Sequence, residues 1–193
     1  MNRPAPPIGH PPGQSRFGPA VDRFDHAADA HLERWRGHPV LDAVMTGATH
    51  AGEFSAIWHV SSIARGVVTG RRDQVVGLAI GLGVESLVVN QGLKRIFRRQ
   101  RPTADGDERF DIRRPLTSSF PSGHASAAAF AATALIGWDG RRTAPLWGTM
   151  AAIVATSRPY VRIHHTSDVL AGAAVGTAMG LVARRVFRRC GLG

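Results

Sequence analysis

The run Val169–Phe187, VLAGAAVGTAMGLVARRVF, decides what kind of chain this is. Up to Arg184 it carries no charge, and it exceeds the ~17 residues below which a helix is too short to cross a bilayer. Gly172, Gly176 and Gly180 recur at every fourth position. A helix here therefore bears one face without side chains, where a second backbone can come close. Four further apolar segments lie upstream, at about Leu41–Ala64, Val75–Leu93, Ala125–Trp138 and Leu146–Thr156. Val75–Leu93 repeats the device with Gly77 and Gly81, while the last two are short for a span unless their polar flanks are counted. Alanine and glycine dominate throughout, so buried helices of a soluble bundle are the competing reading. No segment alternates as a strand would, and no repeat of fixed period recurs. The expected fold class is all-α: a multi-pass transmembrane helical bundle of about five spans.

Ahead of the spans, VDRFDHAADAHLERWRG places Val21, Phe24, Ala28, Leu32 and Trp35 at helical spacing among charges. This predicts an N-terminal amphipathic helix, packed on a core or lying in a membrane interface. The first 20 residues hold six of the twelve prolines and no apolar run of a signal peptide. They read as a proline-rich disordered tail (1–20) ahead of one membrane-embedded domain (21–193).

The 193 residues carry a formal charge of +10, which calls for an anionic partner. Nucleic acid is the bland candidate, but the basic residues are not interleaved with aromatics and no helix-turn-helix, RNP or zinc-finger spacing occurs. A membrane and a phosphate-bearing substrate remain. Cys190 stands alone and forms no internal disulfide. Nothing in the sequence speaks to oligomeric state.

Three polar clusters separate the apolar segments. In NQGLKRIFRRQRP, Asn90–Pro102, Lys94 is the only lysine of the chain and precedes Arg101 by seven residues. On one helix the two share a face, so a point charge and a planar fork can grip one phosphate, before Pro102 ends the helix. A basic collar for anionic lipid headgroups fits the same residues. In TSSFPSGHASAAAF, Thr117–Phe130, a Pro121–Ser122–Gly123 turn feeds an alanine-rich helix. Its free N–H groups make an anion site, with the Ser122 hydroxyl and His124 beside it; an ordinary N-cap is the plain alternative. In SRPYVRIHHTSDVLAG, Ser157–Gly172, Arg158 offers a guanidinium. If Ser167 and Asp168 start the last helix, Asp168 can accept a ring N–H from His164 or from His165, raising the basicity of the other nitrogen. Nine histidines without HExxH or paired cysteines make a zinc site improbable.

Taken together, the three clusters resemble the type 2 phosphatidic acid phosphatase and vanadium-dependent haloperoxidase superfamily. That family's K-x6-RP, PSGH and SR-x5-H-x3-D appear here as Lys94–Pro102, Pro121–His124 and Ser157–Asp168 with every spacing kept. The resemblance implies that Lys94, Arg101, Ser122, Gly123 and Arg158 bind the phosphate oxygens. It makes His164 the nucleophile, His124 the acid–base and Asp168 the partner of His164, with no metal and no cofactor. His165 becomes a neighbour. One departure stands out, since the family often has glycine where this chain has Arg162, a cation that either adds a substrate contact or points to solvent. The polar stretch Thr103–Thr117 resembles a loop over the site.

A short chain with no extra domain resembles the bacterial membrane lipid-phosphate phosphatases. Their substrates are phosphatidate, phosphatidylglycerol phosphate and polyprenyl phosphates or diphosphates. A haloperoxidase-like enzyme and a non-catalytic anionic-lipid binder are the alternatives. Five spans put the three clusters on one side and Arg65, Arg71, Arg72, Arg141, Arg142, Arg184, Arg185, Arg188 and Arg189 on the other. The positive-inside rule then places a multi-pass protein in the cell membrane with its active site on the extracytoplasmic face.

Overall fold

Proline opens the first two helices, at the position where a missing N–H costs nothing: Pro19 begins α1 (Pro19–Glu33) and Pro39 begins α2 (Pro39–Ala51). α3 (Ala56–Thr69) stops at Gly70, whose φ of 73° is the left-handed conformation that helix ends favour. α4 (Arg72–Ile96), α5 (Gly123–Asp139), α6 (Ala144–Tyr160) and α7 (Thr166–Arg189) complete the set. The computed structural model describes residues 17–103, 107–112 and 116–192, and among these there is no strand. The all-α reading therefore holds. The expected tail lies outside the described residues as far as residue 16. Beyond it, Phe17 packs on Phe120 with 4.7 Å between ring centroids.

From α3 onward, successive helices alternate in direction. At one end of the bundle, Arg65 of α3 pairs with Asp139 at the end of α5 (2.5 Å), and Gln74 of α4 donates to the Leu192 carbonyl beyond α7 (3.0 Å). The three polar clusters gather at the other end. α5 runs through the middle, with Ala125, Ala128, Ala131, Ala134 and Leu135 wholly buried. Its alanines are explained by α7. A Cβ on Gly172 or Gly176 would collide with the backbone carbonyls of Ser122 and Ser126, and one on Gly180 would lie 2.8 Å from Thr133 Cβ. The glycine row thus lets α7 lie directly on α5, as its spacing implies. Gly81 of α4 likewise receives the Phe130 ring, which a Cβ there would meet at 2.7 Å.

Two expectations are corrected. The segment Leu41–Ala64 is not one helix, because α2 and α3 are parted by a turn at Glu53–Ser55, where Phe54 and Ser55 take φ of 50° and 58°. Left-handed backbone costs a residue with a Cβ roughly 1–2 kcal/mol, so no local preference makes this break. Tertiary contact does: Gly52 lies so near α5 and α6 that a Cβ would sit 2.7 Å from His124 Cδ2 and 3.1 Å from Val154 Cγ1. The second correction concerns α1. Of its expected apolar stripe, Leu32 packs on the core around Tyr160, while Phe24 and Trp35 are 46% and 52% exposed, as a helix in a membrane interface would leave them. The stripe is therefore not the main buried face. Asp22 and Asp25 are buried instead, and Asp29 and Glu33 continue the same face at helical spacing. Arginines from the rest of the fold meet that stripe, and ion pairing outweighs the modest apolar area on the opposite face.

The outer surface is apolar. Val76, Ile80, Val84 and Leu87 of α4 are exposed on one face, as are Leu181, Val182 and Val186 of α7. Such a surface suits lipid better than water. α4 and α7 are long and apolar enough to cross a membrane by length and composition. α5 and α6 have 17 residues each.

Candidate active site

The first cluster is shaped by a π-helical stretch, Leu87–Leu93, inside α4. Its wider turn brings Asn90 and Lys94 to the start of α5. A Cβ on Gly123 would lie 3.0 Å from Asn90 Oδ1 and 3.6 Å from Lys94 Nζ, so glycine here leaves room for both side chains. α4 ends at Ile96 and Phe97 is extended (φ −101°, ψ 94°). Lys94 and Arg101 therefore do not share a helix face, contrary to the i, i+7 reading. Arg101 comes back along the following irregular segment. There its Nη1 donates to the Ile163 carbonyl (2.5 Å) and lies 3.2 Å from His164 Nε2, while Nη2 donates to the Thr117 carbonyl (3.1 Å).

In the second cluster the structure shows the N-cap. Ser122 caps α5, its Oγ accepting the Ala125 N–H, and its own N–H donates to the Asp168 carbonyl at 3.0 Å. That bond seats the PSGH turn against the start of α7. His124, one residue into α5, presents Nε2 to Glu53 at 3.4 Å.

Arg158 closes the third side from the last turn of α6. It is wholly buried, and none of its three guanidinium nitrogens has a hydrogen-bond partner. The nearest anion is the Glu53 carboxylate, 3.7 Å from Nη1. A guanidinium withdrawn from water with every donor empty is costly unless an anion comes to it. Ser157 beside it ties α6 to α2 by accepting the Thr49 hydroxyl at 2.9 Å.

His164 and Asp168 face each other across the start of α7. The helix begins at Thr166 with His165 as its N-cap, so Asp168 stands at the third position, not at the helix start. Its Oδ2 accepts the His165 backbone N–H (2.9 Å) and the Ser119 hydroxyl (2.5 Å), and lies 3.7 Å from His164 Nδ1. That last contact is longer than a hydrogen bond. With Nδ1 toward Asp168, His164 keeps Nε2 for the side where Arg101 stands. Burial pushes the His164 imidazole well below the ordinary histidine value, opposed by Asp168 and reinforced by Arg101 and Arg158. That environment disfavours the protonated ring, and Nε2, 3.2 Å from the Arg101 donor, is the accepting nitrogen. His165 is buried, with Nε2 3.3 Å from the Gln100 carbonyl.

Several partners were not legible in the motifs. Arg99 lies between two carboxylates, donating from Nη1 to Asp168 Oδ1 (2.6 Å) and from Nη2 to Asp25 Oδ2 (2.7 Å). Asp25 also accepts the Ser167 N–H at 2.8 Å, so α1 is fastened to the start of α7. Arg162 neither points to solvent nor faces the phosphate cradle. It is buried and pairs with Asp29 (2.6 Å) and Glu33 (3.2 Å) of α1. Its φ of 58° is the conformation that glycine adopts without strain. Of the polar loop, residues 104–106 and 113–115 lie outside the described residues. Asp107 and Arg109 pair at 2.6 Å, Arg109 reaches Glu33 at 2.7 Å, and Phe110 packs on Tyr160. The loop is thereby pinned to α1 and to the end of α6.

All eight residues singled out by motif thus meet at one end of the bundle, linked through Gly123 to Lys94, Ser122 to Asp168, and Arg101 to His164. Residues 74–191 match the family model described as PAP2 superfamily. The decaprenylphosphoryl-5-phosphoribose phosphatase of Mycolicibacterium smegmatis is 33% identical over 136 residues, 67% of this chain and 71% of that protein. The protein of the same description from Mycobacterium tuberculosis is 29% identical over 145 residues, 75% of this chain and 79% of its own length. In fold, the chain is similar to a transmembrane PAP2 type phosphatidylglycerolphosphate phosphatase from Bacillus subtilis. The TM-score is 0.70 at 24% identity, covering 91% of this chain and 89% of the other. The matched region is more than half of the chain, and the protein belongs to the PAP2 superfamily as a phosphoric ester hydrolase.

Proposed function

We infer that the protein is an integral-membrane lipid phosphate phosphatase. It hydrolyses a phosphomonoester or diphosphate of a lipid through a phosphohistidine, without a metal. The observation that carries this reading is Arg158, buried with three empty donors where Lys94, Arg101 and His164 converge. Lys94, Arg101, Arg158, the Ser122 hydroxyl and the Gly123 N–H hold the non-bridging oxygens, and charge growing there in the transition state meets donors already in place. His164 Nε2 attacks phosphorus in line. The P–O bond to the alcohol breaks as His124 protonates the departing oxygen. His124 then takes a proton from water, whose oxygen attacks phosphorus, and the P–N electron pair returns to His164. Asp168 orients His164 and offsets its positive charge. Three cations supply the neutralisation that metal ions give elsewhere.

The names of the mycobacterial relatives favour a polyprenyl-linked phosphomonoester as the first substrate to test, ahead of phosphatidate, phosphatidylglycerol phosphate and polyprenyl diphosphate. The direct test is phosphate release by the detergent-solubilised protein from each of these, with chelator and with vanadate. At least one lipid phosphate should be hydrolysed, unaffected by chelator and inhibited by vanadate. Release from none of them, or bromide oxidation gained on adding vanadate, contradicts the reading.

The membrane arrangement we infer has five passes, α3, α4, α5, α6 and α7, with α2 lying at the end that holds the site, beside the last turns of α6. The exposed apolar faces of α4 and α7 support it. Arg65, Arg71, Arg72, Arg141, Arg142, Arg184, Arg185, Arg188 and Arg189 belong to the end away from the site, and by the positive-inside rule this supports a site on the extracytoplasmic face. A reporter active only in the cytoplasm, fused after Gly193, should give signal. A silent fusion overturns this topology.

A further inference from the structure

Glu53 belongs to none of the three motifs, yet its carboxylate stands against two members of the site. Its Oε1 lies 3.4 Å from His124 Nε2 and 3.7 Å from Arg158 Nη1. The backbone is bent at this residue. Phe54 and Ser55, neither of them glycine, take φ of 50° and 58°, which strains a residue that carries a Cβ. Phe54 gains no packing from the bend, being 94% exposed. What the bend achieves is contact, since it presses Gly52 and Glu53 onto the edge of His124. Strain that surrounding contacts hold in place beside a site points to function.

The contact also orients the ring. The Cδ2–Nε2 edge lies against Gly52 and Glu53, with Nε2 at ion-pair distance from the carboxylate and without another partner, so Nδ1 is on the opposite edge. His124 shares its surroundings with two cations, Arg158 at the same carboxylate and Lys94 beside Gly123. Both oppose a further positive charge, and Glu53 offsets them.

We propose that Glu53 is the positioning residue of the acid–base His124. It holds the ring by Nε2–H and stabilises its protonated form, so that phosphate esters of poorly acidic alcohols are cleaved. The inference rests on the role given to His124 above. In the first step the Nδ1–H proton passes to the alcohol oxygen as the P–O electron pair leaves with that oxygen. His124 remains as the neutral Nε2–H tautomer that Glu53 accepts from. In the second step Nδ1 takes a proton from the attacking water, and the imidazolium is restored. A bound phosphate draws Arg158 to itself and leaves Glu53 to His124 alone.

The test compares two substrates whose leaving groups differ in their need for a proton: a lipid phosphomonoester that the wild type hydrolyses, and 4-nitrophenyl phosphate. For Glu53→Gln, kcat on the lipid should fall about 100-fold and on 4-nitrophenyl phosphate less than about threefold, because nitrophenolate departs without acid catalysis. The double variant Glu53→Gln/His124→Ala should be no slower on the lipid than His124→Ala alone, within about twofold, as expected of two residues acting as one unit. Glu53→Asp keeps the charge with a shorter reach and should recover part of the lipid activity. It gives an independent reading if Glu53→Gln folds poorly. Equal loss on both substrates overturns the proposal. So does an unchanged kcat with a lower KM on both, the mark of a carboxylate that only masks Arg158. A wild type inactive on both substrates refutes the functional reading itself, not the role of Glu53.

Discussion

Replacing His164 with alanine should abolish turnover, by at least about 1,000-fold in kcat, whereas replacing the adjacent His165 should leave most of the activity. The two side chains are neighbours in sequence and both are buried, so exposure does not separate them. Geometry does. His164 has one ring nitrogen toward Asp168 and the other beside Arg101 Nη1, the arrangement a neutral nucleophile needs. His165 turns its ring toward the Gln100 carbonyl. Its more important contribution, the N–H that holds Asp168 Oδ2 at 2.9 Å, belongs to the backbone and survives substitution. His165→Ala should therefore cost about 1 kcal/mol of stability from lost packing at the cap, with a modest change in kcat. Phosphate-release kinetics of the two variants, with a thermal melt in detergent, check the contrast. An inactive His165→Ala beside an active His164→Ala would reverse the assignment.

Arg158→Met gives the second large effect, and a double one. Removing a preorganised donor set from the transferring phosphoryl group should lower kcat/KM by at least about 100-fold. Arg158→Lys should not rescue it, since a point charge cannot reproduce a planar fork. Yet stability should not fall. The guanidinium is wholly buried with every nitrogen unpartnered, a desolvated charge that the fold carries at a cost. An apolar side chain of similar reach relieves that cost, so Tm in detergent should be unchanged or higher. Arg99→Met is the matching control. Arg99 is also buried, but it is paired with both Asp25 and Asp168, and its removal strands two buried carboxylates. That variant should lose stability together with activity. A destabilised Arg158→Met would show that the empty donors are satisfied in the folded protein and would weaken the case for a built anion site.

The contrast between these two arginines also marks what the sequence could convey. Lys94, Arg101, Ser122, Gly123, His124, Arg158, His164 and Asp168 were marked out by the three motifs of the family resemblance, and the structure gathers them at one end of the bundle. The glycine row of α7 was legible from its spacing, since close helix packing requires small residues at every fourth position. Arg99 sits two residues from Arg101 in the same basic run, but what distinguishes it is a pair of carboxylates on distant elements, and no local spacing encodes those. α1 carried two helical stripes at once, an apolar one through Phe24 and an acidic one through Asp22, Asp25, Asp29 and Glu33. Local periodicity could not choose between them; the arginines of the rest of the fold did. The break at Phe54 was invisible because neither Phe54 nor Ser55 favours left-handed backbone, and only contact with α5 and α6 makes it. The shared helix face of Lys94 and Arg101 failed because α4 unwinds at Phe97 before reaching the second residue. Long-range electrostatics and local strain are thus the parts that a linear reading does not hold, and both cluster around the site.

The central claim is that phosphate passes through His164, and it can be read directly. Brief incubation of the wild type with a radiophosphorus-labelled lipid phosphate, followed by an alkaline quench, should leave label on the protein that survives base and is lost in acid. The labelled peptide should contain His164, and His164→Ala should take up none. Label that maps to His124, or turnover of substrate with no protein-bound phosphate at any quench time, would contradict the account.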